Sequence, residues 1–246
     1  MSSQTSASEA TRVFPPTRWS LVLAATRKEA PESAAALEAI CRAYWHPLHA
    51  YVRRCGQSPH DAQDLTQEFF RRLLEKRWLA AADPVKGKLR TFLIVALKNF
   101  MSNEWRRAGA QRRGGGQAHL PCDTTFAETQ SAAAGSALAP DELFDRQWAL
   151  TMLNLTVDRL RLEYVEAGKP GEFDALKSCL MAARGTIDYA ALALQLGVKE
   201  ATARVAAHRL RKRFREIYRE EISRTLADGA DLEEELRHLA AALAKE

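Results

Sequence analysis

A chain of 246 residues, 46% of them hydrophobic, carries enough apolar mass for one or two compact cores and is long enough to fold without disulfides or metals. No run approaches the roughly 18–20 uninterrupted apolar residues of a membrane span, and the start MSSQTSASEATRVF lacks the apolar stretch of a signal peptide, so a cytoplasmic location is expected. A formal net charge of +5 is too small to name a polyanionic partner; what matters is where the charge sits.

Nearly every segment reads with a period near 3.6, and strand-like alternation between turn residues is missing. The expectation is an all-α fold of two helical domains joined by a flexible linker. Residues 1–16 read as a disordered N-terminal extension. The first domain, 17–107, offers helices at 17–27, 32–54, 59–78 and 88–107, with breaks at Pro31, at CGQSPHDA and at ADPVKGK. From 108 to 140 the sequence is rich in Gly, Ala, Ser and Thr with no apolar period, the composition of a flexible linker. The second domain, 141–224, offers helices at 141–167, 172–183, 188–196 and 200–224, punctuated by Gly185 and by Gly197 with Val198. Residues 225–246 form a C-terminal helical extension. There Leu232, Leu236, Leu239 and Leu243 fall at helical spacing and Asp231 is placed to cap.

Within the first domain, SPHDAQDLTQEFFRRLLEKRW puts Asp61, Asp64 and Glu68 on one helix face. Leu65, Phe69 and Leu73 make the apolar side, to which Phe70 and Leu74 add. Three acids on a face suggest a metal, but Asp61 also suits the first helical turn, and Ser58 is a good cap with Asp61 three positions on. No histidine cluster, phosphate-cradling glycine loop or nucleophile elbow accompanies them. Cys41, Cys55, Cys122 and Cys179 are far apart with no C-x-x-C pair and read as reduced thiols. Neither a metal nor a cofactor is expected.

Two helices concentrate positive charge. Lys86 to Arg113 holds eight Lys or Arg against one acid, Glu104. Its apolar stripe is Leu89, Phe92, Leu93, Ala96, Leu97 and Phe100, which leaves Lys88, Arg90, Lys98, Asn99, Asn103, Arg106 and Arg107 facing outward. Amides and an aromatic, Trp105, interleaved with cations suit unstacked single-stranded bases, although Trp105 equally fits a core. Lys199 to Arg215 holds seven Lys or Arg and His208 against Glu200, over a stripe of Ala203, Ala206, Ala207, Leu210 and Phe214. So many like charges on one helix repel each other unless a polyanion neutralises them. Upstream, DYAALALQLGV supplies a short helix and a tight turn at Gly197, which is helix-turn-helix spacing. The second helix of such a unit turns its N-terminal side chains to base edges in the major groove, here Lys199, Glu200, Thr202, Arg204, Val205 and His208.

These stretches, in this order and on both sides of a linker, resemble the extracytoplasmic-function class of bacterial RNA polymerase sigma factors. DAQDLTQEFFRRLL is similar to that family's polymerase-binding helix, LRTFLIVALKNFMSNEWRR to its promoter-melting and −10-reading helix, and DYAALALQLGVKEATARVAAHRLRKRF to its −35-reading helix-turn-helix. TRWSLVLAA and EEELRHLAAAL resemble a subgroup with a short C-terminal extension. The resemblance covers about 35–107 and 145–217.

It implies a non-enzymatic initiation factor whose partners are core RNA polymerase and promoter DNA, monomeric when free, and controlled by an anti-sigma factor, by the C-terminal helix or by a kinase acting on Thr66. Asp61, Asp64, Leu65, Gln67, Glu68 and Phe70 would contact polymerase. Lys88, Arg90, Lys98, Asn99, Asn103, Arg106 and Arg107 would form the −10 surface. Lys199, Thr202, Arg204, Val205, His208, Arg209, Arg211 and Lys212 would meet the −35 duplex. Val205 and Ala206 depart from the family's usual small polar and basic pair, which points to apolar contact with a thymine methyl. The competing readings are a stand-alone helix-turn-helix regulator, which needs a dimer interface and a palindromic site, a helical metal hydrolase built on Asp61, Asp64 and Glu68, and a structural adaptor.

Overall fold

Local signals in the sequence set most of the helix ends. In the computed structural model, which describes residues 31–75, 78–81, 88–112, 138–183, 185–226 and 231–245, every regular element among those residues is helical. In chain order they are α1 (Pro31–Arg54), α2 (Pro59–Glu75), a single 3-10 turn (Trp78–Ala81), α3 (Leu89–Arg112), α4 (Pro140–Glu166), α5 (Pro170–Leu176), α6 (Ser178–Met181), α7 (Tyr189–Leu196), α8 (Glu200–Ser223) and α9 (Leu232–Ala244). The helix expected at 17–27 and most of the expected linker lie outside the described residues. The segment expected as one helix at 172–183 is two short ones, α5 and α6, separated at Lys177.

Ser58 starts α2 as expected: its Oγ accepts from the Asp61 amide at 3.1 Å and donates to the Asp61 carboxylate at 2.6 Å. Asp188 accepts from the amides of Ala190 and Ala191, both at 3.0 Å, and starts α7. Asp231 does the same for α9, accepting from Glu233 and Glu234. Between α7 and α8 the chain turns within Gly197–Lys199. Gly197 is left-handed at φ 65°, ψ 33°, its amide donates to Leu194 and the Val198 amide donates to Ala193. That bond pair closes the helix end and is open to glycine because no Cβ opposes the left-handed backbone.

Two buried clusters organise the helices. In the first, Tyr44 and Leu48 of α1, Phe69 and Leu73 of α2, and Leu93, Leu97 and Phe100 of α3 pack with Trp148 and Met152 of α4, Ile222 of α8 and Leu239 of α9. The second joins Leu160 of α4, Phe173 and Leu176 of α5, Cys179 of α6, Leu192 and Ala193 of α7, and Ala203, Ala207, Leu210 and Ile217 of α8. Helices α4 and α8 therefore run through both. Patterning alone divides the chain at 108–140, whereas packing puts the first half of α4 with α1–α3. Arg54, at the end of α1 and buried, joins the two halves by donating to the Leu138 carbonyl just before α4.

Candidate nucleic-acid interface

Helix α2 presents the acids. Asp61 and Asp64 are exposed, and His60 lies 3.1 Å from the Asp64 carboxylate. Glu68 is gripped by Arg71 and Arg72, each with a nitrogen 2.6 Å from Oε1, and the Arg71 hydrogen bonds hold its carboxyl down to about 2. Among the described residues no group of His, Cys, Asp and Glu is placed to hold a metal ion. Gln67 is exposed and Leu65 half-buried. Phe70 is a core residue instead: it is 5% exposed, stacks on Trp45 at 5.6 Å between centroids and meets Phe69 edge-on. Thr66 is fully buried and donates to the Ala62 carbonyl at 2.6 Å, so its hydroxyl is not open to a kinase in this structure.

From Lys88 along α3 the seven residues expected to face outward divide. Asn99, Asn103, Arg106 and Arg107 are exposed; Arg106 donates to Asn103, and Arg107 pairs with Glu104 at 2.8 Å. Trp105 is half-buried against the first cluster. Arg90, in contrast, is 7% exposed. Its guanidinium lies 5.0 Å from the Trp148 ring, 3.2 Å from the Asp145 carboxylate, and against Glu235 of α9. Lys88 also donates to Glu235, and Lys98 pairs with Asp141 at 2.8 Å. The outward expectation thus fails for Arg90, because it flanks the apolar stripe of α3 and there meets Trp148 and Asp145 of α4 and Glu235 of α9. Burial lowers the basicity of both Arg90 and Lys88.

Helix α8 divides in the same way. Lys199, Thr202, His208, Arg209 and Lys212 are exposed, and Val205 is 49% exposed despite being apolar. Arg204 is exposed, pairs with Glu200 at 2.6 Å and covers the Tyr189 ring at 4.5 Å. Arg211 is half-buried and donates to the carbonyls of Cys179 and Ala182, tying α8 to α6. Arg213 pairs bidentately with Glu163 of α4, at 2.7 and 2.8 Å. Beside the exposed row, a cavity of about 500 Å³ is lined by Thr202, Val205 and Arg209 of α8 and by Glu163, Tyr164 and Lys169.

Residues 40–111 match the family model of sigma-70 region 2. The match supports a sigma factor role in transcription initiation with RNA polymerase, and sigma factors are non-enzymatic. It implies binding of core RNA polymerase and promoter DNA. No curated protein and no solved structure matches the chain. The region 2 stretch runs from Ile40 in α1 to Gln111 in α3, so it holds the acidic face of α2 and the basic row of α3 and stops before α4. No helix among the described residues is long and apolar enough to cross a membrane.

The region 2 cations at Lys88, Arg90 and Lys98 meet acids that the sequence reading assigned no role: Asp141, Asp145 and Glu235. Asp141 opens a helix, where an acid is expected, and Asp145 has no local signature. The one signal available for Glu235 is its position between Leu232, Leu236 and Leu239, on the edge of the apolar stripe of α9, where a carboxylate is out of place.

Proposed function

We propose that this chain is an extracytoplasmic-function sigma factor of a subgroup with a short C-terminal extension. It binds core RNA polymerase through residues 17–107 and reads −35 duplex DNA with residues 141–224 while region 2 captures melted −10 bases. The observation that carries the reading is the region 2 match over 40–111, on a stretch whose last helix ends in an exposed row of amides and arginines. The finer assignment draws support from α7 and α8, a short helix, a three-residue turn and a long basic helix, the order and spacing of a helix-turn-helix.

In this reading Asp61, Asp64 and Gln67 touch polymerase, Leu65 and Glu68 border that contact, and Phe70 supports it from inside the core. Asn99, Asn103, Arg106 and Arg107 receive the melted strand. Lys199, Thr202, Arg204, Val205, His208, Arg209 and Lys212 lie against the −35 duplex. There the cations position the helix on phosphates, and Thr202, Val205 and His208 reach base edges. Arg211 supports the reading helix from behind.

The test is co-elution of the purified chain with core RNA polymerase in gel filtration, beside a variant carrying Asp61→Ala, Asp64→Ala and Gln67→Ala. These positions are exposed, and an unchanged circular dichroism spectrum and urea midpoint of the variant separate loss of binding from loss of the Asp61 cap. Co-elution by the wild type that the triple variant loses is the expected result. Absence of co-elution, with tight duplex binding by the chain alone, overturns the reading in favour of a self-sufficient regulator.

A further inference from the structure

Glu235 is 1% exposed, yet it is a carboxylate on a surface-type helix whose neighbours Glu233 and Glu234 are exposed. Burying a carboxylate is unfavourable unless cations meet it, and replacing such an ion pair by apolar groups is often neutral or stabilising. A buried pair is therefore weak evidence of a need for stability and better evidence of a need for one particular arrangement. Glu235 is met by Lys88, just before α3, and by Arg90 of α3, two of the seven residues that the sigma resemblance assigns to the −10 surface. Helix α9 seats it there with Leu239 and Ala242 buried against the rest of the molecule. Polar contacts hold α9 at both ends, Arg219 of α8 to Glu233 near its start and Lys245 to Glu142 of α4 at its finish, with His238 3.0 Å from Asp145 between them.

The same arrangement couples the two halves of the chain. Asp145 contacts both Arg90 of α3 and His238 of α9, so α3, α4 and α9 converge on one charged knot. Region 2 and α8 here share a core through α4. Helix α9 bridges the two, meeting Lys88 and Arg90 on one side and Arg219 of α8 on the other.

We infer that α9 is a built-in lock, in which the Glu235 carboxylate occupies the place on Lys88 and Arg90 that a phosphate of the promoter strand takes once α9 leaves. This rests on the sigma reading, and it names the ligand displaced: a nucleic-acid phosphate, for which a carboxylate of this chain stands in. With α9 seated, only the C-terminal half of the α3 row is open to a strand. With α9 released, Lys88 and Arg90 join it.

The test titrates the full chain, alone, with a fluorescent single-stranded oligonucleotide of roughly 20 bases, a length that covers more than one site. Wild type is compared with Glu235→Gln, which removes the competing charge, and Leu239→Asp, which unseats α9. Both variants are expected to bind at least about tenfold more tightly at low salt. The plot of log affinity against log salt should steepen by about 0.7 for each phosphate newly contacted, hence about 1.4 for two cations. Adding Lys88→Ala to Glu235→Gln should remove about half of that steepening. If Leu239→Asp loses its helical signal, Glu235→Gln decides alone. Equal affinity and equal salt slope for Glu235→Gln and wild type overturn the lock. Co-elution of the wild type with core polymerase, run in parallel, reports separately on the sigma reading: its failure strikes that reading, while the strand titration still reports on the lock.

Discussion

Arg54 donates to the Leu138 carbonyl from two nitrogens, Nε at 3.1 Å and Nη2 at 2.8 Å, with both residues buried. One side chain thus fixes the approach to α4 against the end of α1. Replacing it with methionine keeps the bulk but strips a buried carbonyl of charged donors, a loss of about 2–3 kcal/mol. The urea midpoint should fall by that loss divided by the denaturant slope, the slope itself unchanged, and Arg54→Lys should recover part of it.

Trp148 is fully buried, close to Tyr44 at 6.3 Å between centroids and under the Arg90 guanidinium. Trp148→Ala should cost about 3–5 kcal/mol. Because α4 shares a cluster with α1–α3, amide exchange should rise in α1 and α4 together rather than in α4 alone.

Arg209 and Arg211 sit two positions apart on α8 and should respond differently. Arg211→Ala leaves two carbonyls without their donor and should cost about 1.5–3 kcal/mol in urea unfolding. Arg209→Ala, at an exposed position, should change stability by less than about 0.5 kcal/mol. It should instead weaken duplex binding and lower the salt slope by about 0.9.

An added Cβ at Gly197 meets nothing within 4 Å, so the cost of Gly197→Ala is that of the left-handed backbone alone. That is about 1–2 kcal/mol, and Gly197→Asn should cost less, since asparagine tolerates this conformation. Thermal unfolding of the three proteins should rank them Gly, Asn, Ala.

The Glu68 carboxyl, held down to about 2 by the Arg71 hydrogen bonds, links stability to acid. A depressed carboxyl contributes stability that is fully present above its unfolded value, about 4.3, and that is lost as pH falls toward 2. Glu68→Gln lacks that contribution. The gap in urea midpoint between wild type and Glu68→Gln should be constant above about pH 5 and close as the pH approaches 2. A gap that persists at pH 2 would show that the Arg71 and Arg72 contacts act through packing rather than charge.

Much of this molecule is written locally. A period of 3.6 gives the helices, Ser58, Asp188 and Asp231 start three of them, Gly197 ends one, and the stripe Ala203, Ala207, Leu210 marks the buried side of α8. Each depends on residues within a turn or two, which is why the sequence by itself determined them, along with the acidic face of α2 and the two basic helices. Helical periodicity tells which side of a helix is apolar, but it is silent on whether a distant element covers the other side. Only the tertiary structure decided that Arg90 is buried while Arg106 is exposed, and that Arg211 braces α6 while Arg209 faces water. The partner of Lys88, Glu235, lies 147 residues away, and no pattern in the chain pairs them. That pairing exists because the leucines of α9 find a place in a core built by five other helices, and their burial carries one carboxylate in with them.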